Sequence, residues 1–168
     1  AEGAVEDEST PQKADIREVL NYRAALVEAT TLLEYLPLSQ RLIRETHARL
    51  MQGVRGRSKA PGDYRRIANW IGPDGCTMEQ ARFIPCSAED LPDAMAAWER
   101  YIHADAPDAL VQLAILHAEF EAIHPFLDGN GRLGRLLIPL FLKSKGLLST
   151  PNFYLSDYLE RHRDAYYD

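Results

Sequence analysis

The chemistry of this chain gathers in twelve residues, HPFLDGNGRLGR at 124–135, which run directly into the apolar segment LLIPLFL. Gly129 and Gly131 permit left-handed backbone at no steric cost, so successive N–H groups can converge into a concave anion nest. If a helix starts here, its unpaired N–H groups and the positive end of its dipole add to that nest, and phosphate is the natural guest. The arginines point the same way. A cation in a first helical turn is disfavoured by roughly 0.3–1 kcal/mol, so local stability would not select Arg132 and Arg135. Spaced three apart, they share a helix face and could clamp the outer phosphates of a nucleotide.

Asp128 is the acid in this basic setting, and its place before the nest suits a magnesium ion bridging two phosphates. His124, four residues earlier, has an ordinary pKa near 6.5 and can take a proton from an incoming hydroxyl. Base, metal ligand, phosphate nest and arginine clamp together describe phosphoryl-type transfer.

Helices must position these groups. Val19, Leu20, Leu26, Val27, Leu32 and Leu33 recur at helical spacing over 17–35, preceded by an acidic arm at 1–15. Ser39 can cap a second helix carrying Leu42, Ile43, Leu50 and Met51, with Gly53 as its stop. Residues 53–86 are rich in Gly and Pro, and the short pieces NWI and FIP around Pro73-Asp74-Gly75 predict a loop and a small hairpin. A third helix is expected over 91–102, capped by Ser87 or Asp90, with Pro92 tolerated in its first turn. The segment ALVQLAILHAEFEAI after Pro107-Asp108 is apolar almost all round, as a central buried helix should be. The motif then opens a helix ending at Gly146, in which Pro139 should produce a bend. Ser156 begins a last helix through Tyr166. The class is all-α, a helical bundle around a central buried helix with a small β-hairpin.

The 168 residues suit one domain, with 46% hydrophobic and 26% charged residues typical of a globular protein. The longest apolar run, 136–142, falls far short of the ~20 residues that span a bilayer, and no signal sequence is evident, so no membrane association is expected. A net charge of -6 opposes general attraction to nucleic acid. Cys76 and Cys86 form no CxxC pair, which predicts neither a disulfide scaffold nor a zinc site and a cytoplasmic setting. The chain lacks an initiator Met and ends at Tyr166-Tyr167-Asp168 without a helix-ending signal, so flanking domains are expected.

HPFLDGNGRLGR resembles, position by position, the Fic signature H-x-F-x-[D/E]-G-N-G-R-x-x-R. The segments LPLSQRLIRETHARLMQGVRG, PGDYRRIANWIG, FIPC and YLERHRDAYYD are similar to the bacterial branch of that family, so the resemblance covers nearly the whole chain. It implies a single Fic domain over 1–168, and a magnesium-dependent protein adenylyltransferase that moves AMP from ATP onto a Tyr, Ser or Thr hydroxyl. By this resemblance His124 is the general base, Phe126 the core anchor of the loop, and Asp128 the Mg2+ ligand. Gly129, Asn130 and Gly131 would cradle the α and β phosphates, Arg132 would hold β and γ, and Arg135 would hold γ. Tyr167 resembles an adenine contact.

The family also carries a flap that docks the target protein by strand addition. Residues 69–86 resemble that region, with Thr77, Phe83 and Ile84 on the docking edge. Glu2-Gly3 resembles the end of the inhibitory pattern [S/T]-x-x-x-E-[G/N], which implies that Glu2 pairs with Arg135, and that the enzyme is autoinhibited and able to remove AMP in reverse. Self-modification is a further implication. Transfer of UMP, phosphate or phosphocholine at the same site is the alternative enzyme reading. The Doc branch that transfers phosphate replaces the GNGR glycine pattern, whereas this chain keeps it. A nucleotide-sensing interaction module is the reading from another class, and it would leave His124 without a task. Among the remaining groups, His117 reads as a buried hydrogen-bonded histidine, His47 and His162 as packing or surface residues, and the basic run Arg55, Arg57, Lys59, Arg65 and Arg66 as a solvated loop.

Overall fold

A computed structural model of the chain describes residues 11–53, 59–73, 75–150 and 155–167, without the side chains of residues 11, 12, 156, 157, 160 and 167. Seven helices follow in order: α1 (Pro11–Leu32), α2 (Gln40–Leu50), α3 (Leu91–Ile102), α4 (Ala109–Ile123), α5 (Asn130–Ser144), α6 (Ser156–Arg161) and α7 (Arg163–Tyr167). Glu2 lies outside the described residues.

Helix α1 begins at Pro11, so residues 11–15 are helical rather than part of an extended arm. The polar QKAD after Pro11 contains good helix formers although it lacks an apolar period. Helix α2 starts where Ser39 predicts, with the Ser39 hydroxyl accepting from Leu42 N at 3.4 Å. Its buried face carries Leu42, Ile43, Thr46, His47 and Leu50. Asn21 of α1 donates to the Leu50 carbonyl at 3.4 Å and also bonds the Gln52 carbonyl, satisfying the end of α2 from a neighbouring helix.

Helix α3 has Asp90 at its cap position, but the Asp90 side chain makes no cap bond; the Ser87 hydroxyl accepts from Asp90 N instead, at 3.0 Å. Asp108 caps α4 by accepting from Leu110 N and Val111 N at 2.8 and 3.2 Å. Gln112 reaches back from α4 to the carbonyls of Tyr101 and Ala104 at the end of α3, at 2.6 and 3.1 Å. That link fixes the α3–α4 turn.

The sequence singles out α4 as the central helix; the structure gives that place to α5. Helix α4 packs chiefly on α3 and α5. Its outer face leaves Leu110, Val111 and Ile115 exposed by 63%, 56% and 43%. Helix α5 is contacted by α1, α2 and α4 and buries Leu133, Gly134 and the unbroken run 136–141, Pro139 included. Its end is a Schellman cap: Gly146 has φ +70, Leu147 N donates to Leu142 O, and Gly146 N donates to Lys143 O.

Among the described residues the predicted hairpin shrinks to a single antiparallel bridge between Ile71 and Phe83, with a 3-10 turn at Met78–Gln80 between them. Ile71 N donates to Phe83 O at 2.9 Å, and Arg82 N and Phe83 N both approach Ile71 O. Two glycines and a proline between these positions cap the pairing at one rung. The last predicted helix divides at His162 into α6 and α7.

Candidate active site

The motif sits between the end of α4 and the start of α5. His124 is the residue that ends α4, in left-handed conformation with φ 51 and ψ 61. Such a conformation is uncommon for a side chain with a Cβ and persists only where the surroundings impose it. Here the surroundings are unusually specific. Arg65 donates through Nε to His124 O at 2.9 Å, Asn69 Nδ2 lies 3.4 Å from the same oxygen and 3.2 Å from Phe126 O, and Arg65 N donates to Pro125 O at 2.9 Å.

Imidazole chemistry follows from this placement. The Nδ1 of His124 lies 3.3 Å from the Glu121 carbonyl. A carbonyl only accepts, so Nδ1 carries the proton and Nε2 keeps its lone pair. Burial lowers the His124 pKa below its ordinary value; the Glu121 carbonyl opposes that shift and the Arg65 charge reinforces it. A neutral histidine with a free Nε2 is the protonation state a general base needs.

Phe126 is fully buried and stacks on His47 with ring centroids 3.8 Å apart and an interplanar angle of 15°. This packing ties the loop to α2. His47 is buried as well: its Nδ1 accepts from Gly62 N at 2.9 Å, so its Nε2 donates to Asp128 O at 2.9 Å. One imidazole thereby joins α2, the loop at Gly62 and the motif. Burial lowers the His47 pKa, against the Asp128 carbonyl and with the Arg132 charge, which keeps the ring neutral.

Only one of the two motif glycines is left-handed. Gly129 has φ +78, and a Cβ there would sit 2.7 Å from Met51 Sδ and 3.3 Å from His47 Nε2. Both conformation and space demand glycine. Gly131 is an ordinary helical residue of α5, because the helix begins at Asn130 rather than after the glycines. The nest is therefore built from Gly129 and the first turn of α5, where the N–H groups of Asn130, Gly131 and Arg132 find no acceptor among the described residues. The Asn130 side chain turns away from this mouth and bonds the Phe126 backbone twice, so Asn130 offers a ligand its backbone N–H alone.

The two arginines have different neighbours. Arg132 Nη1 lies 3.3 Å from Glu18 Oε2 of α1, and Nη2 lies 3.7 Å from Asp128 Oδ1 and 3.4 Å from Met51 Sδ. Nη1 is nonetheless buried with no hydrogen-bond partner among the described residues, a donor position that an anionic oxygen would satisfy. Arg135 makes no hydrogen bond or ion pair among the described residues. Its Nη1 lies 3.4 Å from where a Cβ of Gly131 would stand, so the guanidinium folds back toward the start of α5.

Asp128 accepts from Gly129 N at 2.6 Å through Oδ1. No three His, Cys, Asp or Glu side chains converge among the described residues. One carboxylate beside a phosphate nest is the donor set with which magnesium is commonly held, the remaining ligands being phosphate oxygens and water.

Behind the motif, His117 Nε2 meets Tyr166 OH at 2.8 Å, in agreement with its reading as a buried, bonded histidine. Its Nδ1 and the Oε1 of Glu121 are buried without partners among the described residues. Burial pushes the Glu121 carboxyl up to about 6, with Arg135 pulling it down. Thr77 precedes the 3-10 turn, and Phe83 and Ile84 are 45% and 54% exposed beside the Ile71 bridge. Tyr167 lies in α7, but its side chain is outside the described residues.

Arg65 departs most from its sequence reading. It stands in a basic run that looks solvated, yet it is 3% exposed. The signal available in the sequence is its neighbourhood: Tyr64 and Ile67 frame the double arginine with apolar side chains. Glu18 is the other functional neighbour that periodicity alone does not expose.

Residues 37–142 match the model of the Fic/DOC family. A probable protein adenylyltransferase of Aquifex aeolicus is 41% identical over 58 residues, covering 34% of this chain and 18% of that protein. The protein adenylyltransferase Fic of Drosophila grimshawi is 28% identical over 119 residues, or 69% of this chain and 22% of its own length. A crystal structure of a Fic family protein from Desulfovibrio desulfuricans superposes with a TM-score of 0.72 at 28% identity, covering 95% of this chain and 45% of that one. The chain thus spans about a fifth of the length of these curated relatives.

Proposed function

This chain belongs to the Fic/DOC family, and on that premise we propose that it transfers AMP from ATP to a Tyr, Ser or Thr hydroxyl of a target protein. The single observation that carries the reading is the pairing of a neutral His124 with a helix start whose N–H groups, like the buried Arg132 Nη1, have no hydrogen-bond partner among the described residues. A base and an anion site on the two sides of one five-residue loop are what an in-line displacement at phosphorus requires.

His124 Nε2 accepts the proton of the target hydroxyl. The hydroxyl oxygen bonds to the α phosphorus of ATP, and the bond from that phosphorus to the β-phosphate oxygen breaks. Pyrophosphate leaves with the electron pair, and the AMP group stays on the target. The amides of Asn130, Gly131 and Arg132 face the α and β phosphates, while Arg132 and Arg135 take the charge that builds on the leaving group. Asp128 is the residue for Mg2+, which when bound neutralises phosphate charge. Phe126, held against His47, keeps the loop in register. The exposed edge at Phe83 and Ile84 is the docking strand for the target.

The test uses ATP labelled at the α or the γ phosphate, with intact mass of the protein and labelling of a cell lysate. Protein-bound α label with an AMP-sized mass gain supports the reading. Transfer of γ label alone would make the protein a kinase and overturn it.

A further inference from the structure

Arg65 is a buried cation with no carboxylate partner among the described residues. Its guanidinium is spent on main-chain carbonyls instead. Nε donates to His124 O at 2.9 Å, Nη1 to Ile67 O at 3.2 Å, and Nη2 to Cys86 O at 2.5 Å and toward Ile123 O at 3.3 Å. Two of these carbonyls end α4, where the helix dipole is negative and a cation is favoured. The other two bracket the flap: Ile67 precedes the Ile71–Phe83 bridge and Cys86 follows it.

One planar fork therefore touches three separate stretches of chain: the end of the helix that carries the base, the segment leading into the flap, and the segment leaving it. Removing a guanidinium from water is costly unless every donor is satisfied. A hydrophobic side chain in the same space would leave these carbonyls without a donor. The arrangement makes sense as a device for distance.

We propose that Arg65 is a positioning residue which fixes the target-docking flap at a set distance from His124, so that a docked hydroxyl meets Nε2. The roles of flap and base rest on the adenylyl-transfer reading; the mechanical coupling of residues 67–86 to the end of α4 does not. Asn69 supports the same link from the leading segment, through its contacts with the His124 and Phe126 carbonyls. Lysine cannot replace Arg65 in this role, because a single ammonium cannot satisfy carbonyls on both sides of a planar fork.

The experiment compares wild type with Arg65→Lys and Arg65→Gln by amide hydrogen exchange, NMR titration of the His124 ring, ATP binding and α-label transfer. In Arg65→Lys, exchange at Ile71, Arg82 and Phe83 is expected to quicken tenfold or more while the amides of α2 and α5 keep wild-type rates. Transfer is expected to fall at least thirtyfold with ATP affinity within twofold. In Arg65→Gln the His124 titration should also move upward, since the groups that face this ring are the Arg65 cation, the Asp128 carboxylate and the Glu121 carbonyl. A residue of purely structural importance would loosen all helices together. Wild-type exchange at the three flap amides in a folded variant, or uniform acceleration throughout the protein, would overturn the proposal.

Should neither variant fold, Asn69→Ala removes the lesser link. A threefold acceleration confined to the flap supports the proposal, and unchanged flap exchange overturns it. If wild type transfers no label at all, adenylyl transfer fails as a reading, while the exchange pattern still decides whether Arg65 couples flap to base.

Discussion

The side-chain amide of Asn130 pairs with the backbone of Phe126 as a neighbouring strand would: Oδ1 accepts from Phe126 N at 2.9 Å and Nδ2 donates to Phe126 O at 2.8 Å. The first residue of α5 thereby closes the loop that begins at His124. Asn130→Asp exchanges the donor for a carboxylate oxygen facing a carbonyl, inside a site where Asn130 is only 2% exposed. A loss of about 2–4 kcal/mol is expected from the broken bond and the buried charge. Urea unfolding measures it, and a shift under 0.5 kcal/mol would refute the pairing as a stabilising element.

Glu121 and Gly134 touch across the α4–α5 contact. A Cβ on Gly134 would fall 2.2 Å from Glu121 Oε1 and 3.4 Å from His117 Cε1. Gly134→Ala should therefore destabilise the protein by about 1–3 kcal/mol through overpacking, despite the better helix propensity of alanine. In a Glu121→Ala background the same change should cost much less. The double-mutant cycle tests this, and additive effects would mean that the two positions are not in contact.

Acid should act on the fold through opposing groups. Burial lowers the pKa of His47, His117 and His124, so the unfolded chain takes up protons first and stability falls as pH drops below 6.5. Glu121, raised to about 6 from 4.5, works the other way. Its contribution is fully present below pH 4.5 and lost as pH rises through 6, a difference of about 2 kcal/mol. Glu121→Gln should consequently gain stability at pH 8 and lose it more steeply than wild type between pH 6.5 and 4.5. Urea midpoints across pH 4.5–8 check both slopes.

Removing the base should separate chemistry from binding. His124→Ala is expected to lower α-label transfer by about 10²–10⁴-fold, the usual range for a general base, while ATP affinity stays within threefold because the proposed phosphate site is at the start of α5. Calorimetry beside the transfer assay reads the two quantities. Retained transfer in the variant would remove His124 from the mechanism.

Inhibition is tested at the remnant pattern before α1. If Glu2 pairs with Arg135, Glu2→Gly should raise automodification tenfold or more, and Arg135→Ala should abolish the response to that change. Equal automodification by wild type and Glu2→Gly would argue against the pairing.

Much of this site is legible as sequence because the motif packs chemistry, backbone conformation and helix start into adjacent positions. His124, Asp128, Gly129 and the arginines need no tertiary information to be noticed. Ser39 and Asp108 mark their helix starts through local cap bonds for the same reason. What escapes is long-range. Arg65 reads as one more loop cation, since its burial depends on carbonyls 58 and 59 residues away. Helix α4 reads as central because its composition is apolar, but composition does not tell how many neighbours a helix has. The hairpin reads as longer than one rung because turn residues predict reversal and say little about how far pairing extends.

The pair formed by Glu18 and Arg132 has a consequence for inheritance. The family match begins at residue 37, whereas Glu18 belongs to α1, ahead of that boundary, and stands 3.3 Å from the guanidinium of a motif arginine. A recombination event that joined residues 37–142 to a foreign leading segment would preserve every signature position, and with it the Asp128 contact, and still strip Arg132 of its nearer counter-charge. The module that can be moved intact between proteins is therefore larger than the stretch by which it is recognised, and it starts no later than α1.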